Sequence, residues 1–193
     1  NERQFIDLYS VAPCNVRMDV YRSGVLYWSG TLDPELYTEP YAYKTDYGVS
    51  LTFSDMAVLD RSNFDMSGFV TLQALILAAV GKTCVNYSGL QQYVSTYLSG
   101  KDSNTFLSDI TLLSDNMFDE DGKAMTWHDA LENSLKTFGL RIIQKAGHFV
   151  VYDINAVYTA FKDGTNTVDW ALDDSNIDVD KIYNNVKLTF SPY

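Results

Sequence analysis

The sequence predicts an α+β fold of antiparallel β-strands and hairpins with a few short helices, including a helix followed by a β-hairpin at about 126–153. Three observations predict it. Before residue 60, apolar and polar residues alternate with period two, as half-buried strands do. Near residue 70 the pattern changes to helical spacing. From Thr126 a capped apolar stripe runs to Gly139, and two strand-like runs of matching length follow.

Taken in order, Val16, Met18 and Val20 alternate with Arg17, Asp19 and Tyr21, Ser23-Gly24 supplies a turn, and Val25 to Trp28 resumes. That is a hairpin with a two-residue connection. Gly30, Pro34 and Pro40 are expected to break the ladder, because proline has no N–H to donate. A further strand is expected from Gly48 to Ser54, where Val49, Leu51 and Phe53 alternate with Ser50, Thr52 and Ser54.

Thr71 is placed to cap a helix through Ala74, Leu75 and Ala78 to Val80, with Gly81 just past its end. It is apolar on nearly every side, so it belongs under other layers. Leu90, Tyr93, Val94, Tyr97 and Leu98 have the spacing of an amphipathic helix, although Tyr, Val and Thr are strand formers. Residues 99–125 read as loop-rich, with a short helix around Thr105 to Leu113.

Thr126 is a good N-cap and Asp129 approximates a capping box, with Asp where Glu or Gln is usual. Trp127, Ala130, Leu131, Leu135 and Phe138 form the apolar stripe, expected to bury against Ile142, Val150 or Tyr152. Leu140 to Lys145, the turn Ala146-Gly147 and His148 to Asp153 form the hairpin. Asn155 to Phe161 reads as a helical turn or two, Asp163 to Asp180 as an acidic loop, and Tyr183 to Phe190 as a last strand. This divides the chain into a β-rich segment (1–68), a helical and loop segment (69–125) and a helix, hairpin and terminal strand (126–193), expected to form one compact fragment. The chain opens Asn-Glu-Arg-Gln and closes where a strand pattern has just run out, so a piece of a longer protein is expected.

Composition excludes several classes. Aromatic content of 14% is not that of a disordered chain. The longest mostly apolar stretch, Phe69 to Val80, falls well short of the roughly 20 residues of a membrane span. With 14 basic against 25 acidic side chains the net charge is −11, and no basic patch offsets it, so nucleic acid is a poor partner. Cys14 and Cys84 are the only cysteines, too few for a disulfide scaffold or a four-cysteine zinc site. The reading favours two free, core-type thiols, with one bridge between them as the alternative.

Chemical motifs mostly fail on inspection. Gly81-Lys82-Thr83 looks like the end of a phosphate-binding loop, but Ile76 stands where the first glycine belongs. Registering Gly122 as a calcium-loop glycine puts Met117 at the first ligand position and His128 where a bidentate Glu is needed. His128 and His148, the only histidines, lack metal spacing, and no Gly-x-Ser-x-Gly elbow is present. Asn86-Tyr87-Ser88 matches a glycosylation acceptor, which matters only in a eukaryotic secretory setting. The expectation is a protein without catalytic, metal or cofactor-binding residues.

Aromatics are the remaining signal. Tyr27, Trp28, Tyr37, Tyr41, Tyr43 and Tyr47 crowd around Pro34 and Pro40. One reading is core strands and a braced loop. Another is a protein contact built on Trp28, Tyr37, Glu39, Pro40, Tyr41 and Tyr43, since Tyr and Trp bring rigid, half-polar area to interfaces. Carbohydrate stacking would use the same side chains.

Two stretches carry a family resemblance. Val25 to Tyr41 reads Val-Leu-Tyr-Trp-Ser-Gly-Thr-Leu-Asp-Pro-Glu-Leu-Tyr-Thr-Glu-Pro-Tyr, followed by Tyr-Gly-Val-Ser-Leu-Thr-Phe-Ser-Asp-Met-Ala-Val-Leu-Asp over residues 47–60. Residues 122–132 read Gly-Lys-Ala-Met-Thr-Trp-His-Asp-Ala-Leu-Glu, then come Phe138-Gly-Leu-Arg-Ile-Ile-Gln, Gly147-His-Phe-Val-Val-Tyr and Tyr183-Asn-Asn-Val-Lys. Together they resemble tail proteins of phages and prophages of Bacteroides-type bacteria. The helix-then-hairpin unit is similar to one in baseplate hub proteins of tailed phages. The likeness touches about half the chain, and residues 82–114 match nothing in it. It implies a structural tail or hub component made in the bacterial cytoplasm and carried in the virion. Its partners would be other tail or baseplate proteins and further copies of itself, with no cofactor. A secreted or surface carbohydrate-binding module is the alternative, and a hydrolase built on scattered carboxylates ranks last.

Overall fold

The computed structural model of the protein describes residues 5–36 and 48–162, so the expected loop over 163–180 and strand over 183–190 lie outside the described residues. Within them, four α-helices and eight strands form an α+β fold with three small sheets.

The first sheet is antiparallel, in the order β1 (Arg17–Arg22), β2 (Val25–Leu32), β3 (Phe53–Ser54). Ser23 and Gly24 make the two-residue turn with positive φ at both, 51° and 78°, the twist that joins hairpin strands best. Gly30 does not break the ladder as expected; β2 runs through it, and Gly30 stands opposite Met18. Its role is space. A Cβ there would lie 2.1 Å from Cη2 of Trp28, whose indole covers the glycine. The break comes at Pro34, which opens a 3-10 turn over Pro34–Leu36. Because β2 ends at Leu32, only Phe53–Ser54 of the expected Gly48–Ser54 strand pairs in this sheet.

Helix α1 (Leu72–Lys82) buries Leu72, Leu75, Ile76, Ala79 and Val80 and is capped by Thr71, whose Oγ1 accepts from the Ala74 N–H at 3.1 Å. The helix does not end at Gly81. Thr83 closes it, its N–H and hydroxyl both donating to the Val80 carbonyl, at 3.1 and 2.7 Å. The left-handed residue is then Cys84 (φ 60°), which is bridged to Cys14 with Cα atoms 5.6 Å apart. The free-thiol expectation is thereby corrected; sequence separation holds no information on whether two Cβ atoms meet.

The short helix expected near 105–113 divides into α2 (Phe106–Asp109) and β6 (Thr111–Leu113), which pairs with β4 (Phe69–Thr71) as the second sheet. The amphipathic helix expected over 90–98 is instead β5 (Leu90–Tyr93), parallel to β8. Burial there has period two, with Leu90, Gln92 and Val94 more enclosed than Gln91 and Tyr93. The β-forming side chains and a partner strand override the helical spacing.

The clearest local unit is as predicted. Helix α3 (Trp127–Thr137) starts at Thr126, whose Oγ1 accepts from the Asp129 N–H at 3.1 Å and donates to the Asp129 carboxylate at 2.9 Å. The shorter Asp thus closes on the hydroxyl, where Glu would reach back to the cap amide. Gly139 at φ 66° ends it; β7 (Leu140–Lys145) and β8 (His148–Asp153) follow, joined by Ala146 (φ 48°) and Gly147 (φ 74°). The third sheet has the order β5-β8-β7, and α4 (Ile154–Lys162) leaves its end.

Trp127, Leu131 and Leu135 are buried as predicted, and Phe138 packs half-buried beside them. The hairpin face they meet is Leu140, Ile142, Phe149 and Val151. Val150 and Tyr152, two of the expected partners, alternate onto the opposite face. This apolar cluster begins at Leu59, and neither β1 nor β2 contributes to it.

Candidate functional site

The β1–β2 hairpin presents its two faces the unusual way round. Residues opposite one another in an antiparallel pair share a face, so Met18–Gly30 and Val20–Trp28 line one side and Arg17–Thr31 and Asp19–Ser29 the other. Tyr21 pairs with Leu26, leaving Tyr27 as the extra residue of a bulge in β2. Because β1 stays regular, the Arg22–Val25 pair falls on the Met18–Val20 side. Towards the turn that apolar side is exposed, 39% for Met18, 38% for Val20 and 64% for Val25, whereas Gly30 and Leu32 at its other end are buried. Tyr21 and Tyr27 at the bulge are exposed too. The polar side is the buried one, with Ser29 and Thr31 enclosed.

The buried side ends in a hydrogen-bonded node. The Ser29 hydroxyl donates to Asp19 at 2.7 Å and accepts from the Asn86 N–H at 3.0 Å; the Asn86 side-chain amide donates to Asp19 at 2.7 Å. The Ser29 N–H donates to Gln144 Oε1 at 2.7 Å, while Gln144 Nε2 is buried without a partner among the described residues. Arg17 lies 3.2 Å from Asp19. The bond from Ser29 holds the Asp19 carboxyl below its ordinary value, helped by Asn86 and Arg17 and opposed by burial. The amide of Asn86, the glycosylation candidate, is thus engaged within the fold.

Of the contact residues expected from sequence, Trp28 lies half-buried on the outward face, over Gly30. Tyr37, Glu39, Pro40, Tyr41 and Tyr43 lie outside the described residues. Sequence reasoning missed Met18, Val20 and Val25 as surface. Their alternation was visible, but it does not say which face points out.

Other chemistry has structural explanations. His128 is half-buried with Nδ1 2.6 Å from Asp60, and His148 Nδ1 lies 3.0 Å from the Ala146 carbonyl. Asp119 turns its carboxylate onto the N–H groups of Asp121 and Lys123 in its own loop. Lys82 pairs with Asp65 at 2.6 Å and lies 5.7 Å from the Trp127 ring. Burial pushes the Asp55 carboxyl up, yet one raised carboxyl is not an acid–base pair. A cavity of about 210 Å³ beside β5 is lined by Gln73, Gln91, Gln92 and Asn104 among others, and holds no titratable side chain. Among the described residues, no three His, Cys, Asp or Glu side chains stand close enough to hold a metal ion, and no helix is long and apolar enough to cross a membrane.

Fold and surface together define an α+β protein whose most unusual feature is an outward apolar hairpin face. No family model, curated protein or solved structure matches the chain.

Proposed function

We propose that the chain is a structural component of a phage or prophage tail or baseplate-hub assembly, acting through protein–protein contacts at the outward face of the β1–β2 hairpin. The observation that carries this reading is the inversion of the hairpin: Met18, Val20 and Val25 face outward while Asp19 and Ser29 face inward. An antiparallel sheet with one covered face normally turns its apolar side to the core. An exposed apolar patch is a standing cost in water and is relieved by a partner surface. The resemblance of residues 25–60 and 122–153 to tail and hub proteins supplies the kind of partner: neighbouring tail proteins and further copies of the chain. Sugar binding uses open, flat aromatic faces, whereas the exposed Met18, Val20 and Val25 are aliphatic and the aromatic residue among them, Trp28, is half-buried against Gly30; this favours a protein contact over a glycan.

The test replaces Val20→Lys and Val25→Lys together in the intact protein. Both side chains are exposed, so folding should change little, within about 0.5 kcal/mol. Assembly should fall sharply, read as particle yield or as sedimentation of the complex. A separate Tyr37, Tyr41 and Tyr43 triple replacement tests whether the aromatic segment belongs to the same contact. Assembly at normal yield in the lysine variant refutes the hairpin as the contact surface.

A further inference from the structure

The N-terminal sheet is joined to the body of the protein by polar and covalent ties. Neither β1 nor β2 enters the apolar cluster that starts at Leu59. In its place stand the Asp19–Ser29–Asn86–Gln144 node, the bond from the Gly147 N–H to the Tyr27 carbonyl at 2.9 Å, and an Arg61–Asp33 ion pair at 3.0 Å. The Cys14–Cys84 bridge lies at the same junction, Cys84 two residues before Asn86 and Cys14 three before Arg17. Cys84 is exposed and Cys14 half-buried. Both are held in the left-handed backbone region, at φ 71° and 60°, which L residues other than Asn and Asp rarely enter.

We propose that Cys14–Cys84 is a thiol-exchange site for a dithiol reductant, and that opening it releases the N-terminal sheet while the body stays folded. A reductant thiolate attacks the sulfur of Cys84, the more exposed residue; the S–S bond breaks and Cys14 leaves as a thiolate that takes up a proton. The second reductant thiol then displaces Cys84. The reductant ends as a disulfide and the protein as two thiols, a balanced two-electron exchange. Both cysteine backbones are then free to leave the left-handed region. The remaining ties are hydrogen bonds and an ion pair at the junction's edge, which water can replace. The freed hairpin is the one that carries the outward apolar face. The inference stands on the bridge and its surroundings and does not need the assembly reading.

Hydrogen–deuterium exchange of the full chain tests it, oxidised and after treatment with dithiothreitol at neutral pH. Peptides spanning 17–32 should exchange about tenfold faster or more after reduction, while those covering 72–82, 127–137 and 148–153 keep their protection. A Cys14→Ser/Cys84→Ser variant should match the reduced protein; if it does not accumulate, the reduced natural chain carries the test alone. Three results would overturn the proposal: a bridge that resists excess dithiothreitol in the native protein, unchanged exchange over 17–32, or loss of protection in all segments together.

Discussion

Asp153 ties the third sheet together at one end, and replacing it gives a sharp test of the fold. Strands β5 and β8 are parallel, so no tight turn can join them. Their far ends are tied through one carboxylate, 4% exposed, that closes β8 and begins α4. It accepts the Ser95 N–H at 2.6 Å, the Ser95 hydroxyl at 2.9 Å and the Ala156 N–H at 2.6 Å. Burial pushes its pKa up, but the bonds from Ala156 and Ser95 outweigh that and hold it below the ordinary 3.8. Ser95 is exposed, so its donors can turn to water, and Asp153→Ala loses only the net worth of those bonds, about 1 kcal/mol each, together with a helix cap worth about 1 kcal/mol. A loss of about 2–3 kcal/mol is expected in urea unfolding of the oxidised protein. Asp153→Asn keeps one acceptor oxygen and should lose about half as much. A depressed carboxyl contributes stability that is fully present above its unfolded pKa and is lost as pH falls through the folded one. Its share should therefore begin to fade as pH falls below about 4 and be lost through the lower folded pKa, and the variants should be less acid-sensitive than the natural chain. A loss under about 0.5 kcal/mol for Asp153→Ala, or identical acid profiles, would refute the reasoning.

Two further replacements probe the packing. Leu131 is 2% exposed in the α3 stripe, so Leu131→Ala should cost about 2–5 kcal/mol in the same urea assay; a cost under about 0.5 kcal/mol would mean the stripe is not core. Gly147→Ala places a Cβ 2.5 Å from the Leu26 carbonyl oxygen at a φ of 74°, so the second hairpin must move away from β2. It should destabilise by more than about 1 kcal/mol and speed amide exchange in β2, whereas a neutral result would mean that this contact is loose.

What could be read from the sequence was what neighbouring residues decide among themselves. The Thr126 cap, the Trp127–Leu135 stripe, Gly139 and the Ala146-Gly147 turn lie within one short stretch, and each device agrees with the next. Ser23-Gly24 succeeded for the same reason. The failures needed a distant partner. Leu90 to Tyr93 becomes a strand because β8, far along the chain, lies beside it. Gly30 stays in the ladder because β1 continues beside it, with Met18 standing opposite. Cys14 and Cys84 meet because the N-terminal sheet docks where α1 ends. At the candidate site, alternation in β1 marked two faces but could not orient them.

The orientation follows from the surface that the hairpin meets. Asn86, Gln144 and the Gly147 backbone offer amides and carbonyls, and Asp19, Ser29 and the Tyr27 carbonyl answer them. Each satisfied bond is worth only about 1 kcal/mol net, but turning the hairpin over would leave the same groups buried and unpaired, at about 1–3 kcal/mol apiece. It would set Met18, Val20 and Val25 against polar atoms that they cannot satisfy. Even in the observed arrangement Gln144 Nε2 is unpaired among the described residues. A polar docking surface on the body therefore forces the apolar face outward, whatever that face does. For a hairpin needed only for its own fold, polar residues at positions 18, 20 and 25 would cost nothing in this docking and would spare the exposed apolar area. Their apolar character is the feature the docking does not explain, and the proposed contact with a partner would.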